Sequence, residues 1–146
     1  MPRTRYKTAR CVLYRPRSHS DPTQYEFLLA IHGSFWGKRV KRWGLPGGRV
    51  EWREDPQEAA VRELEEELDI QVRSYEELAD FTYKRAQHKV ICARWDADIP
   101  TFDKQELIDI RWFSAADIQQ LAKDKLLHAR YEIDAIRLLE GRLRLA

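Results

Sequence analysis

The chain has 146 residues, enough for a hydrophobic core without disulfide or metal staples, and reads as a single domain over residues 1–146. Its 26 Lys plus Arg nearly balance 24 Asp plus Glu, for a net charge of +2, so charge alone favours neither a nucleic-acid partner nor an acidic tail. No apolar run is long enough to span a bilayer, and the N-terminal MPRTRYKTAR lacks the apolar segment of a secretion signal, so a soluble cytoplasmic protein without a membrane partner is expected. Cys11 and Cys92 each sit in an apolar alternating run and read as buried thiols of a reducing compartment.

In chain order, Thr8–Pro16 has strand character, and the polar RSHSDPTQ that follows is a loop. Tyr25–His32 (YEFLLAIH) is a second strand, buried around Phe27–Ile31. The stretch GSFWGKRVKRWGLPGG mixes aromatic, basic and Gly/Pro residues and reads as a working loop. A short strand is expected at Arg49–Trp52. A helix then runs from Pro56 to Leu68, with Asp55 as N-cap, Pro56 at the first helical position and Glu58 completing a capping-box-like pattern.

Further strands are expected at Ile70–Val72, Leu78–Tyr83, His88–Ala97 and Glu106–Ser114. Ser114 with Asp117 starts a helix, and His128–Glu140 forms a last amphipathic one through Ile133, Ile136 and Leu139. The mixture of helices and hairpin-like strand pairs predicts an α+β domain.

The central helix carries the chemistry. On a helical wheel Ala60, Val61, Leu64 and Leu68 share a core-facing side, while Glu63, Glu66 and Glu67 cluster on another, flanked by Arg62. Like charges at these spacings repel, so either water screens a solvated face or a cation sits among them. The paired glycines Gly47–Gly48 at a fixed distance upstream favour the second reading, because glycine lets backbone approach a ligand closely. Converging carboxylate oxygens suit Mg2+ or Mn2+, hard cations that bridge carboxylates to substrate phosphates.

These residues resemble the signature of the Nudix hydrolase family. Gly48 opens it, Glu54 follows after five residues, and seven more lead to Arg62-Glu63-Leu64-Glu65-Glu66-Glu67-Leu68-Asp69-Ile70. Every fixed position matches except the last glycine, here Asp69, which reads as a left-handed helix cap at a modest cost in stability. The resemblance implies a Nudix fold, an α-β-α sandwich with a mixed β-sheet flanked by helices. It implies Glu66 and Glu67 as principal metal ligands, Glu63 as a further ligand or the group that positions the attacking water, and Gly48 as a carbonyl ligand. Arg62 would hold the carboxylates, Glu54 would brace Arg62, and Glu106, ahead of Trp112, would be an additional acid. Glu63, Glu66, Glu67 and Arg62 are thus the expected catalytic residues, with Mg2+ or Mn2+ as cofactor.

Around this site, Arg42 and Lys38 could contact phosphate and either Trp43 or Trp36 stack a base; the plain alternative is a solvated loop anchored by its tryptophans. His19, His32, His88 and His128 share no metal-ligand spacing and read as surface or packing residues. Tyr83, Lys84 and Arg85 sit at a strand end near the site. The implied activity is hydrolysis of a pyrophosphate bond in a nucleoside diphosphate linked to another group, a nucleoside triphosphate or modified nucleotide above all. GDP-mannose-type sugar hydrolysis and a non-catalytic nucleotide- or RNA-binding module are the alternatives. The expected partner is a small nucleotide rather than nucleic acid, and the oligomeric state, homodimer included, stays open.

Overall fold

The structure, a computed structural model, describes residues 5–21, 23–33 and 41–145. Its strands are β1 (Tyr6–Pro16), β2 (Tyr25–His32), β3 (Trp43–Gly44), β4 (Gly47–Arg49), β5 (Glu76–Tyr83), β6 (Ala86–Arg94) and β7 (Leu107–Ser114). The helices are α1 (Pro56–Leu68), α2 (Ala115–Lys123) and α3 (Tyr131–Leu145). All seven strands join one mixed sheet, ordered β3-β2-β1-β6-β5, with β4 also on β1 and β7 also on β2.

The eleven-residue β1 organises the sheet. One edge pairs in parallel with β6, from Thr8↔His88 to Tyr14↔Arg94. The other edge is shared: Thr8–Arg10 pair with β4, and Tyr14–Pro16 pair with β2. Between those segments β1 turns to the chain entering β4, with Cys11 N–H donating to Pro46 O at 3.0 Å. This fork brings the Gly47–Gly48 turn into the middle of the sheet.

Strand alternation sends side chains to two layers. Ala9, Cys11 and Leu13 pack against Ala59, Ala60, Leu64 and Leu68 of α1. Val12, with Phe27, Leu29 and Val90, packs against Ile118 of α2 and Ile133, Ile136 and Leu139 of α3. Helices therefore cover both faces, the sandwich expected. Cys11 and Cys92 are both buried but belong to opposite layers. Among the described residues no helix is long and apolar enough to cross a membrane.

The elements depart from expectation mainly at their ends. The strand expected at Arg49–Trp52 lies upstream as β4, and Trp52 and Arg53 form a turn, Arg53 taking a positive φ of 63°. No strand forms at 70–72; Ile70 and Val72 are buried as anchors of a connecting segment. Trp43–Gly44, expected in a loop, adds a short strand to β2. The last helix starts at Tyr131 because His128 N–H is used by Trp43 O at 2.8 Å and Arg130 takes a non-helical φ of 70°.

Helix ends show which local signals acted. Ser114 Oγ accepts from Asp117 N–H at 3.1 Å, as its spacing predicted. Asp55 sits extended at the α1 N-cap, but its side chain makes no capping hydrogen bond; Ala59 N–H bonds to its backbone oxygen instead. Asp69 takes the left-handed conformation (φ 54°, ψ 41°) and its N–H bonds Glu65 O at 3.0 Å. Glycine adopts that conformation without the Cβ penalty. Asp69→Gly is therefore expected to stabilise the chain by about 0.5–1 kcal/mol in urea denaturation, and an unchanged or lowered midpoint would contradict this account of the cap.

Candidate active site

The site is built where α1 meets the Gly47–Gly48 turn. Gly47 has φ 137°, and a Cβ there would lie 2.3 Å from Ala9 O. A Cβ on Gly48 would lie 2.6 Å from the Glu63 carboxyl carbon. Both glycines are needed sterically, since backbone passes directly over β1 on one side and over a carboxylate on the other.

Glu67 is 1% exposed. One oxygen accepts from Gly47 N–H at 2.9 Å and the other lies 3.5 Å from His32 Nδ1. The wheel had grouped it with Glu66 on one carboxylate face, but the turn closes over Glu67 and leaves Glu66 exposed. Arg62 ties the rest together. Its Nε and Nη2 donate to the Glu54 carboxylate at 2.8 and 3.1 Å, a charge-assisted bidentate pair. Nη1 donates to Glu63 at 3.1 Å and Glu66 at 3.2 Å, and Nη2 also reaches Arg49 O at 3.0 Å. One guanidinium thereby joins the loop after β4 to the acidic side of α1.

The electrostatics follow from burial. Burial pushes the Glu67 carboxyl up to about 8, with the Glu63 charge adding to the shift and the Gly47 amide and Arg10 opposing it. Burial also raises Glu63, against the pull of Arg62. Glu54 is held below the usual carboxylate range, chiefly by its hydrogen bonds from Arg62. Adjacent buried carboxyls that resist ionising call for a positive charge.

The oxygens present suit a hard divalent cation in kind. Glu63, Glu67, Gly48 and Glu106 line one cleft, whereas Glu66 lies outside it on Arg62. With Glu63 and Glu66 engaged by Arg62, no three Asp, Glu, His or Cys side chains among the described residues are poised around a single ion.

The cleft has a volume of about 500 Å3, and its other walls hold residues the sequence did not single out for the site. Arg10 Nη1 donates to Gly47 O at 2.9 Å and Leu45 O at 3.3 Å, clamping the turn that meets Glu67. His32 Nε2 also meets Leu45 O, at 3.1 Å. His88 lies 2.6 Å from Thr8 Oγ1 through Nδ1 and 3.2 Å from Tyr83 O through Nε2. A carbonyl partner requires Nε2 to carry hydrogen, so Thr8 donates to Nδ1 in a neutral ring; burial keeps the His88 pKa low, in agreement. Tyr131 stacks between Phe81 (5.0 Å between centroids) and His88 (5.7 Å).

Three of the histidines read as surface or packing residues, His32, His88 and His128, therefore line the cleft. Thr8 and Arg10 carried a usable signal: they occupy the positions on β1 that alternate with the core residues Ala9 and Cys11 and lead to Val12. Trp43 is placed differently from expectation. It is 8% exposed and packs edge-on against Phe113 at 4.9 Å, in the core rather than on a ligand surface. Arg42 is exposed and is not among the residues lining the cleft; Lys38 and Trp36 lie outside the described residues.

The NUDIX domain profile matches residues 4–134, and the chain belongs to that family. Two strains of Mycobacterium tuberculosis, CDC 1551 / Oshkosh and H37Rv, carry a relative provisionally named 8-oxo-dGTP diphosphatase 3. It is 26% identical over 125 residues, 80% of this chain but 56% of the relative, so the chain spans little more than half the length of these curated proteins. Among solved structures, a C. elegans Ap4A hydrolase binary complex superposes with a TM-score of 0.71 at 20% identity, over 96% of this chain and 100% of that one. The NUDIX domain of Shewanella oneidensis NrtR, complexed with ADP ribose, gives 0.66 at 20% identity over 99% and 90%. The MutT protein of Methanosarcina mazei Go1 gives 0.67 at 21% identity over 97% and 99%. At these identities the structures establish a shared fold.

Two outcomes test this geometry. Arg62→Ala, which strips the Glu54 pair and leaves three carboxylates facing one another, is expected to lower unfolding stability by about 1–3 kcal/mol; a change near zero in denaturant titrations would mean that Arg62 braces nothing. Glu132, 1% exposed and bonded to Ala129 N–H at 2.9 Å, has its carboxyl pushed up to about 7, chiefly by burial. Because the folded value is raised, its stabilising contribution is present below the unfolded carboxyl pKa and is lost as pH rises through about 7. The Tm of Glu132→Gln should accordingly fall less steeply between pH 5 and 8 than that of the wild type, and parallel Tm–pH curves would reject the assignment.

Proposed function

We propose that the chain hydrolyses a pyrophosphate bond in a nucleotide with the help of a divalent cation, Mg2+ or Mn2+. The observation that carries this reading is Glu67, a carboxyl buried beneath a glycine turn and pushed up to about 8, in a cleft that also holds Glu63 and Glu106. Glu67 and Glu63 with the Gly48 carbonyl would hold the cation, Glu66 would join them by turning from Arg62, and Glu106 offers a further oxygen from a neighbouring loop. When bound, the cation supplies charge to the carboxylates, lowers the pKa of water and neutralises charge developing on phosphate oxygen.

The chain's own groups do the remaining work. Arg62 fixes the orientation of Glu63 and Glu66, and Arg10 and His32 hold the Leu45–Gly47 backbone against Glu67. Glu63, on the cleft lining, orients the water and accepts its proton as oxygen bonds to phosphorus. The phosphorus–oxygen bond to the leaving phosphate breaks in the same displacement. Lys7, Arg49 and Lys84 on the cleft walls offset the charge of the phosphate chain. A nucleoside triphosphate or modified nucleotide is the favoured substrate, which the name of the mycobacterial relative supports.

The test is a hydrolysis screen with Mg2+ or Mn2+ over nucleoside triphosphates, dinucleoside polyphosphates and nucleotide sugars, with products identified. Glu67→Gln, nearly isosteric and still able to meet the Gly47 amide, should lower kcat by about 10²–10⁴-fold with the fold intact. Full activity in that variant would sink the site assignment, and a wild type that binds nucleotides without cleaving any would make the domain a binding module.

A further inference from the structure

Six described non-glycine residues have positive φ, and five of them are Lys or Arg: Arg53, Lys84, Arg85, Lys125 and Arg130, the sixth being Asp69. Asp69 and Lys125 follow the ends of α1 and α2, where a left-handed residue is an ordinary way to stop a helix. Arg53 lies in the turn before α1 and off the cleft lining; Lys84, Arg85 and Arg130 follow no helix end either, and the segments that carry them border the cleft. Lys84 lines it, Arg85 is the next residue, and Arg130 stands between the lining residues Ala129 and Tyr131.

Lys84 and Arg85 form the whole loop of the β5–β6 hairpin, since Tyr83 pairs with Ala86. Their φ values of 50° and 64° match a type I′ turn, whose twist suits the strands but which strongly favours Asn-Gly at these positions. Two long cationic side chains are the wrong residues for such a turn on conformational grounds. Arg130 repeats the pattern at φ 70°. Backbone strain kept at a cleft points to use of the side chains that cause it.

The surroundings indicate the use. None of these three cations is engaged by a carboxylate among the described residues; the Lys84 ammonium sits 5.5 Å from the Tyr83 ring centroid, on the cleft wall. The hairpin and the segment carrying Arg130 are joined, because Tyr83 Oη donates to His128 O at 3.3 Å. With Lys7 and Arg49 on other parts of the lining, the cleft carries several cations beside the carboxyls of Glu63 and Glu67.

We propose that Lys84, Arg85 and Arg130 form a cationic collar that holds the part of a polyphosphate chain lying beyond those carboxyls. The collar trades turn stability for charge at the cleft. It deepens the nucleotide-hydrolase reading and rests on it for biological meaning, but its test needs no turnover.

The experiment measures inorganic tripolyphosphate binding to the purified full chain by calorimetry, with and without Mg2+ and across a salt series, alongside Tm. Wild type should bind with an affinity that weakens as salt rises. K84N/R85G, which installs the favoured turn pair, should raise Tm by roughly 2–5 °C while weakening tripolyphosphate binding by roughly fivefold to twentyfold. Arg130→Gly should move both readouts in the same directions. A raised Tm with affinity unchanged would overturn the proposal, as would a lowered Tm, or a wild type that does not bind tripolyphosphate. Loss of nucleotide hydrolysis alone would strike only the reading above.

Discussion

The hydrogen bond from the Gly47 amide to the buried Glu67 carboxylate is the joint on which the site turns. It exists because β1 forks, giving one part of its edge to β2 and another to β4, and so admits the glycine turn between them. The turn fits only because neither Gly47 nor Gly48 has a Cβ: one would strike the backbone of β1 and the other the Glu63 carboxylate. From the far side Arg10 and His32 hold the carbonyls of the same segment. Removing water from Glu67 makes its ionised form costly, and that cost gives a divalent cation something to offset.

Arg62 solves a different problem in the same few residues. A helix that places Glu63, Glu66 and Glu67 within little more than a turn carries internal repulsion, and Arg62 relieves it by spreading one delocalised charge over Glu54, Glu63 and Glu66. Because Glu54 lies in the loop that follows β4, relief of repulsion and attachment of loop to helix are one interaction. Glu66 stays exposed and Glu67 buried, so neighbouring residues in sequence meet very different dielectric surroundings.

What could be read from the sequence was whatever is encoded locally. The spacing from Gly48 to Glu67, the limits of α1 at Pro56 and Leu68, the left-handed Asp69 and the Ser114 cap all depend on residues close in the chain, and all are legible. The opposite wall is not, because Thr8 and His88, or Tyr83 and His128, meet only through strand pairing and docking of distant segments. Trp43 misled for the same reason: its aromatic-basic neighbourhood reads as a ligand surface, yet the pairing of Trp43 with β2 and its packing on Phe113 turn it into the core. The last helix begins later than its apolar pattern would allow because Arg130, just before it, takes a positive φ.

The parallel pairing of β1 with β6 has a consequence for assembly. Thr8 and His88, 80 residues apart, share a buried hydrogen bond at the cleft wall. Such a contact must await closure of nearly the whole intervening chain, the kind of long-range pairing that slows folding. The acidic helix can begin to form on local signals, whereas the cleft facing it requires both strands in register. A partly folded chain therefore presents the carboxylates without their opposing wall, and complete topology, not the motif alone, is what makes the pocket.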